Sequence, residues 1–235
     1  MRIARSIIQP AQQLLRSGKL QGSEDGMIDL LKNAVMHHHL SVYSIAIDAL
    51  KSTLTEETAS DLLILLQGKA VIPPSLVGLS EDLVDIDLDE FERFREHQLA
   101  DTLNECYVYC RSFYIESCCT AIEEFCSKSP SPLVSYTLEA AIFCLNSVSV
   151  DATKRALLVT ATPAAKAAAA KACASQNPKA PVMDLQVIGE DASTHDALLS
   201  RCLSSIYNRS DAESCNTLFL CQLSRMLGRV SVIDF

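Results

Sequence analysis

The chain has no tryptophan, and its 235 residues include only 7 glycines, 8 prolines and 20 basic residues against 29 acidic ones. Few turn residues, and valine and aromatic clusters that do not alternate in period two, argue against a fold of short strands. The net charge of −9 and the scatter of Lys and Arg exclude a phosphate-binding surface for nucleic acid, and make a basic partner easier to attract. No uninterrupted apolar run approaches the roughly 20 residues that span a bilayer, so no membrane partner is expected. Met1 to Gln12 lacks the apolar core and cleavage site of a secretory signal, and export is not expected either. Nucleophile elbows, glycine-rich phosphate loops and the HExxH pattern are also missing from the sequence, which makes an enzyme or a resident cofactor improbable.

A hydrophobic share of 49% is more than a disordered chain carries. Its spacing predicts an all-α fold. Residues 1–26 read as a ragged segment, a weak helix interrupted at Pro10 and then the GKLQGSEDG loop. From Met27 the apolar positions Ile28, Leu30, Leu31, Ala34 and Val35 predict a helix ending near three histidines. Ser41 is expected to cap a second helix, with Ile45, Ala46, Ala49 and Leu50 turned inward, and the two should form an antiparallel hairpin. Thr55, Glu57 and Thr58 mark the start of a third helix, Glu56 to Gln67, with Gly68 as its expected stop.

Pro73, Pro74 and Gly78 then predict a long loop in which Glu81, Asp82, Asp85, Asp87, Asp89 and Glu90 gather. The loop feeds a helix of about Leu88 to Arg111, with Phe91, Phe94, Leu99, Leu103, Cys106, Tyr107 and Cys110 near one side. Ile115, Cys118, Cys119, Ile122, Phe125 and Cys126 repeat at helical spacing. SKSPSP breaks the pattern, and Leu133 to Val148 reads as a helix apolar nearly all round. Asp151 to Glu190 reads as an alanine-rich insertion or linker, either a short exposed helix capped by Thr162 with Pro163 at its first position, or mobile chain. Residues 191–235 predict a second clear helix pair, Thr194 to Ile206 and Ala212 to Val232. Helix pairs spaced by roughly 40 residues without a strict period fit an α-solenoid of degenerate HEAT or armadillo type. That arrangement is expected to be a piece of a longer array.

The ten cysteines fall mostly on apolar helix faces and read as reduced core residues, not as disulfide or zinc sites. Cys118 and Cys119, flanked by Ile115 and Ile122, read as packing residues without a thiol chemistry of their own. His37, His38 and His39 suggest a metal, but on a helix successive side chains diverge by about 100° and cannot share one ion, so a surface helix end is expected. His97 and His195 stand outside any pattern of ligand spacing.

Taken in order, these pieces resemble a middle portion of the importin-β superfamily, in its transportin-SR and importin-thirteen branch. The resemblance is carried by DLDEFERFR at Asp87 to Arg95, by TLEAAIFCLNSVS at Thr137 to Ser149, and by the final helix pair from Leu198 to Ser231. Its most specific element is E-A-x-x-F-x-L, here Glu139, Ala140, Phe143 and Leu145. The similar part runs from about Ser41 to Val232, with Asp151 to Glu190 outside it. Such receptors are long HEAT superhelices whose amino-terminal repeats bind the GTPase Ran and whose concave surface holds cargo. The resemblance therefore implies nucleocytoplasmic transport, protein cargo, Ran and nucleoporins as partners, and residence in cytoplasm and nucleus. It also makes the acidic segment Glu81, Asp82, Asp85, Asp87, Asp89 and Glu90 a candidate contact for a basic cargo or a basic patch on Ran. A HEAT or armadillo scaffold outside transport is the alternative.

Overall fold

The computed structural model describes residues 24–78, 87–129, 131–160 and, near the end of the chain, 197–198, 200–202, 204–206 and 208; for residue 24 and residues 149–160 it describes the backbone alone. Every regular element among the described residues is helical, and no strand occurs among them. The chain forms two compact units, Met1–Cys106 and Tyr107–Phe235.

In the first unit, α1 (Glu24–Met36) and α2 (Leu40–Lys51) are joined by three residues and pack on one another, so the chain folds back at the histidines. Leu31, Val35, Ala46, Ile47 and Ala49 are fully buried, in accord with their three-and-four spacing. Ser41 is not the cap. The helix opens one residue earlier, with His39 in extended conformation at the N-cap and no side chain capping it. The His39 carbonyl instead accepts from the amides of Val42 and Tyr43, at 3.0 and 3.2 Å.

α3 (Glu56–Ala70) begins as its sequence predicts. The Thr55 hydroxyl accepts from the Thr58 amide, and the Thr58 hydroxyl accepts from the Thr55 amide at 2.7 Å, which satisfies two otherwise orphaned donors. Gly68 does not end it. The helix continues to Ala70 and stops where Val71 turns extended ahead of Pro73 and Pro74, whose rings and missing amide forbid continuation. A short 3₁₀ turn, Pro74–Val77, closes on Gly78, which takes the left-handed φ of 72° that a glycine adopts without penalty.

By length and composition, Glu56–Val77 is apolar enough to cross a membrane. One face of it is buried in the first unit, while Ile64 is exposed. Ala59, Leu62, Leu63, Leu66 and Ala70 are buried, α3 lies against α1, and Asp61 accepts a 2.7 Å ion pair from Lys32 of α1.

The next helix is less regular than its apolar stripe suggests. α4 (Leu88–Phe94) runs into a π-helical turn at Arg95–Leu99 and then into α5 (Ala100–Tyr109), and the chain breaks at Cys110, short of the expected end at Arg111. The extra residue of a π turn re-phases the helix beyond it. Gln98, within the turn, reaches α2, where its amide nitrogen donates to the Ser44 carbonyl and to Asp48 Oδ1 at 2.8 and 2.9 Å, and its oxygen accepts from the Ser44 hydroxyl. Lys51 of α2 also pairs with Glu105 of α5 at 2.9 Å.

In the second unit, α6 (Arg111–Ser127) packs on α7 (Pro132–Thr160). Ser131 caps α7 by accepting from the Val134 amide, with Pro132 at the first helical position. Ile115, Cys118, Cys119 and Ile122 of α6 and Leu138, Ile142 and Cys144 of α7 are all buried. The Tyr114 hydroxyl donates to the Cys144 carbonyl at 2.7 Å, and its ring meets Tyr107 edge to face. α7 does not stop at Val148; its backbone stays helical to Thr160, into the stretch expected to be linker. The described residues between 197 and 206 are helical, in agreement with a helix over Thr194 to Ile206, whereas Ala212 to Val232, residues 1–23 and the rest of the alanine-rich segment lie outside the described residues.

Candidate functional site

Of the six acidic residues proposed as a partner contact, Glu81, Asp82 and Asp85 lie outside the described residues. The other three sit in one helical turn. Asp87 is the N-cap of α4, and its carboxylate accepts from the Glu90 amide at 2.7 Å. Asp89 and Glu90 follow in the first turn, exposed, where their charge complements the positive end of the helix dipole. The backbone carbonyl of Asp89 accepts from Arg93 Nε at 3.2 Å. Phe91 and Phe94 of the same motif are buried, and Phe94 meets Tyr43 of α2 edge to face with centroids 5.2 Å apart. DLDEFERFR thus divides into an apolar half that docks α4 and an acidic half that faces water.

The acidic turn is felt beneath it. Burial first, and then the Glu90 charge, pushes the Tyr43 hydroxyl above the usual phenol range, which keeps it neutral. Lys69 of α3 lies over the Tyr43 ring, 4.6 Å from its centroid, and donates to the carbonyls of Met36 and His37 at 3.2 and 2.7 Å. A lysine therefore terminates α1, where unsatisfied carbonyls and the negative dipole end favour a cation. Half-burial lowers the Lys69 pKa.

The helix ends at the histidines as expected, but their own geometry differs from the one assumed. They do not lie on a helix, because α1 ends at Met36 and α2 begins at Leu40. In the bend between them the His37 ring stacks on those of His38 and His39, which are tilted to one another, with centroids 4.0 to 5.1 Å apart, and one ligating nitrogen of each lies within 4.8 Å of the others. The divergence of successive helical side chains does not apply to a bend. Among the described residues this is the group of side chains that could converge on a metal ion.

In the second unit, Cys106 apart, the described cysteines Cys110, Cys118, Cys119, Cys144 and Cys202 are buried and Cys126 half-buried, all as free thiols. Cys202 Sγ lies 3.5 Å from the Cys119 carbonyl as donor. Contact with Cys119, and then burial, pushes the Cys202 thiol up, so it stays protonated and unreactive. Arg201 beside it makes a bidentate pair with Glu123 of α6, at 2.9 and 2.8 Å. The E-A-x-x-F-x-L motif also faces inward: Glu139, Ala140, Phe143 and Leu145 are all buried, so it contributes to packing and not to an exposed contact.

No family model, curated protein or solved structure matches this chain. Gln98, Lys69 and Tyr114, which tie the helices to one another, carry no motif in the sequence; the only signal for Lys69 is its place in the last turn of α3, within reach of a neighbouring helix end.

Proposed function

We propose that this chain binds protein, without bond chemistry, as a run of helix pairs stacked in the HEAT manner, and that it belongs to a nuclear transport receptor of importin-β kind. The observation that carries the reading is the division of DLDEFERFR: Phe91 and Phe94 anchor the helix in the unit while Asp87, Asp89 and Glu90 stand at its solvent end. Helix pairs closed by short connections, α1 with α2 and α6 with α7, support it as the repeating device of such folds. The net charge of −9 supports a basic partner, drawn in by long-range attraction and held by short-range pairing with the acidic turn.

The test is capture on immobilised Ran loaded with a non-hydrolysable GTP analogue, on nucleoporin phenylalanine-glycine repeats and on a Lys/Arg-rich cargo peptide. Retention on Ran or on the repeats supports a transport receptor. Retention on the basic peptide alone assigns the chain to the alternative, a HEAT or armadillo scaffold outside transport. Binding to none of the three overturns the reading.

A further inference from the structure

We propose that the turn His37–His38–His39 is a binding site for a divalent late transition-metal ion, with Zn2+ as its representative, held through imidazole nitrogens between α1 and α2. The donor set decides the class of ion. Imidazole suits Zn2+, Ni2+ and Cu2+, whereas Mg2+ and Ca2+ require oxygen ligands. The three nitrogens lie within 4.8 Å of one another. Two imidazole nitrogens on a tetrahedral Zn2+ stand roughly 3.3 Å apart, given Zn–N bonds of about 2.0–2.1 Å. The remaining gap is one for side-chain rotation to close, since the three ring centroids already lie 4.0 to 5.1 Å apart.

The backbone of the turn needs no rearrangement. It is held on the α1 side by the His37 amide on the Ala34 carbonyl at 3.2 Å and by Lys69 on the Met36 and His37 carbonyls. On the α2 side it is held by the Val42 and Tyr43 amides on the His39 carbonyl.

Two features set the strength of the site. The Lys69 ammonium at the same turn repels a second cation. The Nδ1 of His37 accepts from the His39 amide at 3.1 Å, so ligation through that atom gives up this hydrogen bond. Both make the ion exchangeable, and its effect is to staple the α1–α2 connection when present.

The experiment uses the full chain without a histidine tag, its cysteines kept reduced, titrated calorimetrically with Zn2+, with Ni2+ and with Mg2+. One Zn2+ or Ni2+ per chain and no heat from Mg2+ are expected, and the combined variant His37→Asn, His38→Asn, His39→Asn should bind at least ten-fold more weakly. The chain has ten cysteines, which are the competing ligands. Two further readouts on the unaltered chain therefore separate the sources. Bound Co2+ should show no thiolate charge-transfer band, and Zn2+ should shift three of the five histidine ring resonances while His97 and His195 stay in place. Unchanged affinity in the variant, a thiolate band, or shifts confined to His97 and His195 would overturn the proposal, as would the absence of any binding by the unaltered chain.

Discussion

Asp87 holds a structural and an electrostatic role at once, and two substitutions separate them. Its carboxylate accepts the Glu90 amide at 2.7 Å and so caps α4. Asp87→Ala removes both cap and charge, and loss of an N-cap costs about 1 kcal/mol, within a range of about 0.5–2 kcal/mol. In a unit of this size that corresponds to a fall in Tm of about 4–8 °C. Asp87→Asn keeps an oxygen acceptor at the cap and removes the charge, so it should lose only the dipole contribution of about 0.3–1 kcal/mol. Hydrogen exchange of the α4 amides, read beside thermal melts by circular dichroism, localises the effect to the first unit. Binding to a Lys/Arg-rich peptide should behave in the opposite way, with both variants weakened alike and the salt dependence of binding reduced in both. If Asp87→Asn destabilises α4 as much as Asp87→Ala does, the capping argument is wrong. If it binds the peptide as well as the unaltered chain, Asp87 has no part in attracting partners.

Gly68→Ala should raise stability by about 0.5–1 kcal/mol, because the glycine sits within α3 and a methyl group there would meet nothing within 4 Å; a lower urea midpoint would mean that the helix ends at Gly68 after all. Tyr114→Phe should cost about 1 kcal/mol by removing the buried hydrogen bond to the Cys144 carbonyl, with the loss visible as faster exchange in α6 and α7, and an unchanged midpoint would refute that role. His37 titrates below its ordinary value of 6.5, so its neutral form is favoured by folding: the stability it contributes is present above pH 6.5 and is lost as the pH falls through its lower, folded-state pKa. Urea midpoints between pH 7.5 and about 5 should therefore decline, and His37→Asn should flatten that decline.

The buried stripes are legible in the sequence because helical packing repeats every three to four residues whatever the detail of the backbone. Phe91, Leu99, Leu103 and Cys106, like Ile115, Cys118, Cys119 and Ile122, are buried as their spacing requires. Thr55 is legible as a cap because its hydroxyl precedes an acidic first turn. Gly68 misleads because glycine marks a helix end only when the next residues cannot continue, and here Lys69 and Ala70 continue it until the prolines intervene. The π turn leaves no trace in the pattern, since one inserted residue between Phe94 and Leu99 still leaves apolar residues at acceptable spacing. Arg95 is likewise invisible: it is buried, with its guanidinium 5.8 Å from the Phe91 ring centroid, and a charged residue in an acidic, polar stretch reads as surface. The histidine turn escapes a sequence reading through one assumption, that the three residues at the helix end still keep helical geometry. Nothing in three identical residues announces a bend.

The acidic turn and the histidine turn are parts of one electrostatic arrangement within the first unit. Glu90 acts on Tyr43, Lys69 lies over the Tyr43 ring, and the same Lys69 ammonium grips the carbonyls of Met36 and His37. The Lys69 ammonium on the ring face of the buried Tyr43 sits where the effective dielectric is lower than in water and the cation–ring attraction correspondingly larger. A cation placed on the histidines would oppose the Lys69 charge directly, a charge that burial already disfavours. By linkage, the charged Lys69 weakens metal binding by the same factor by which bound metal disfavours protonation of Lys69.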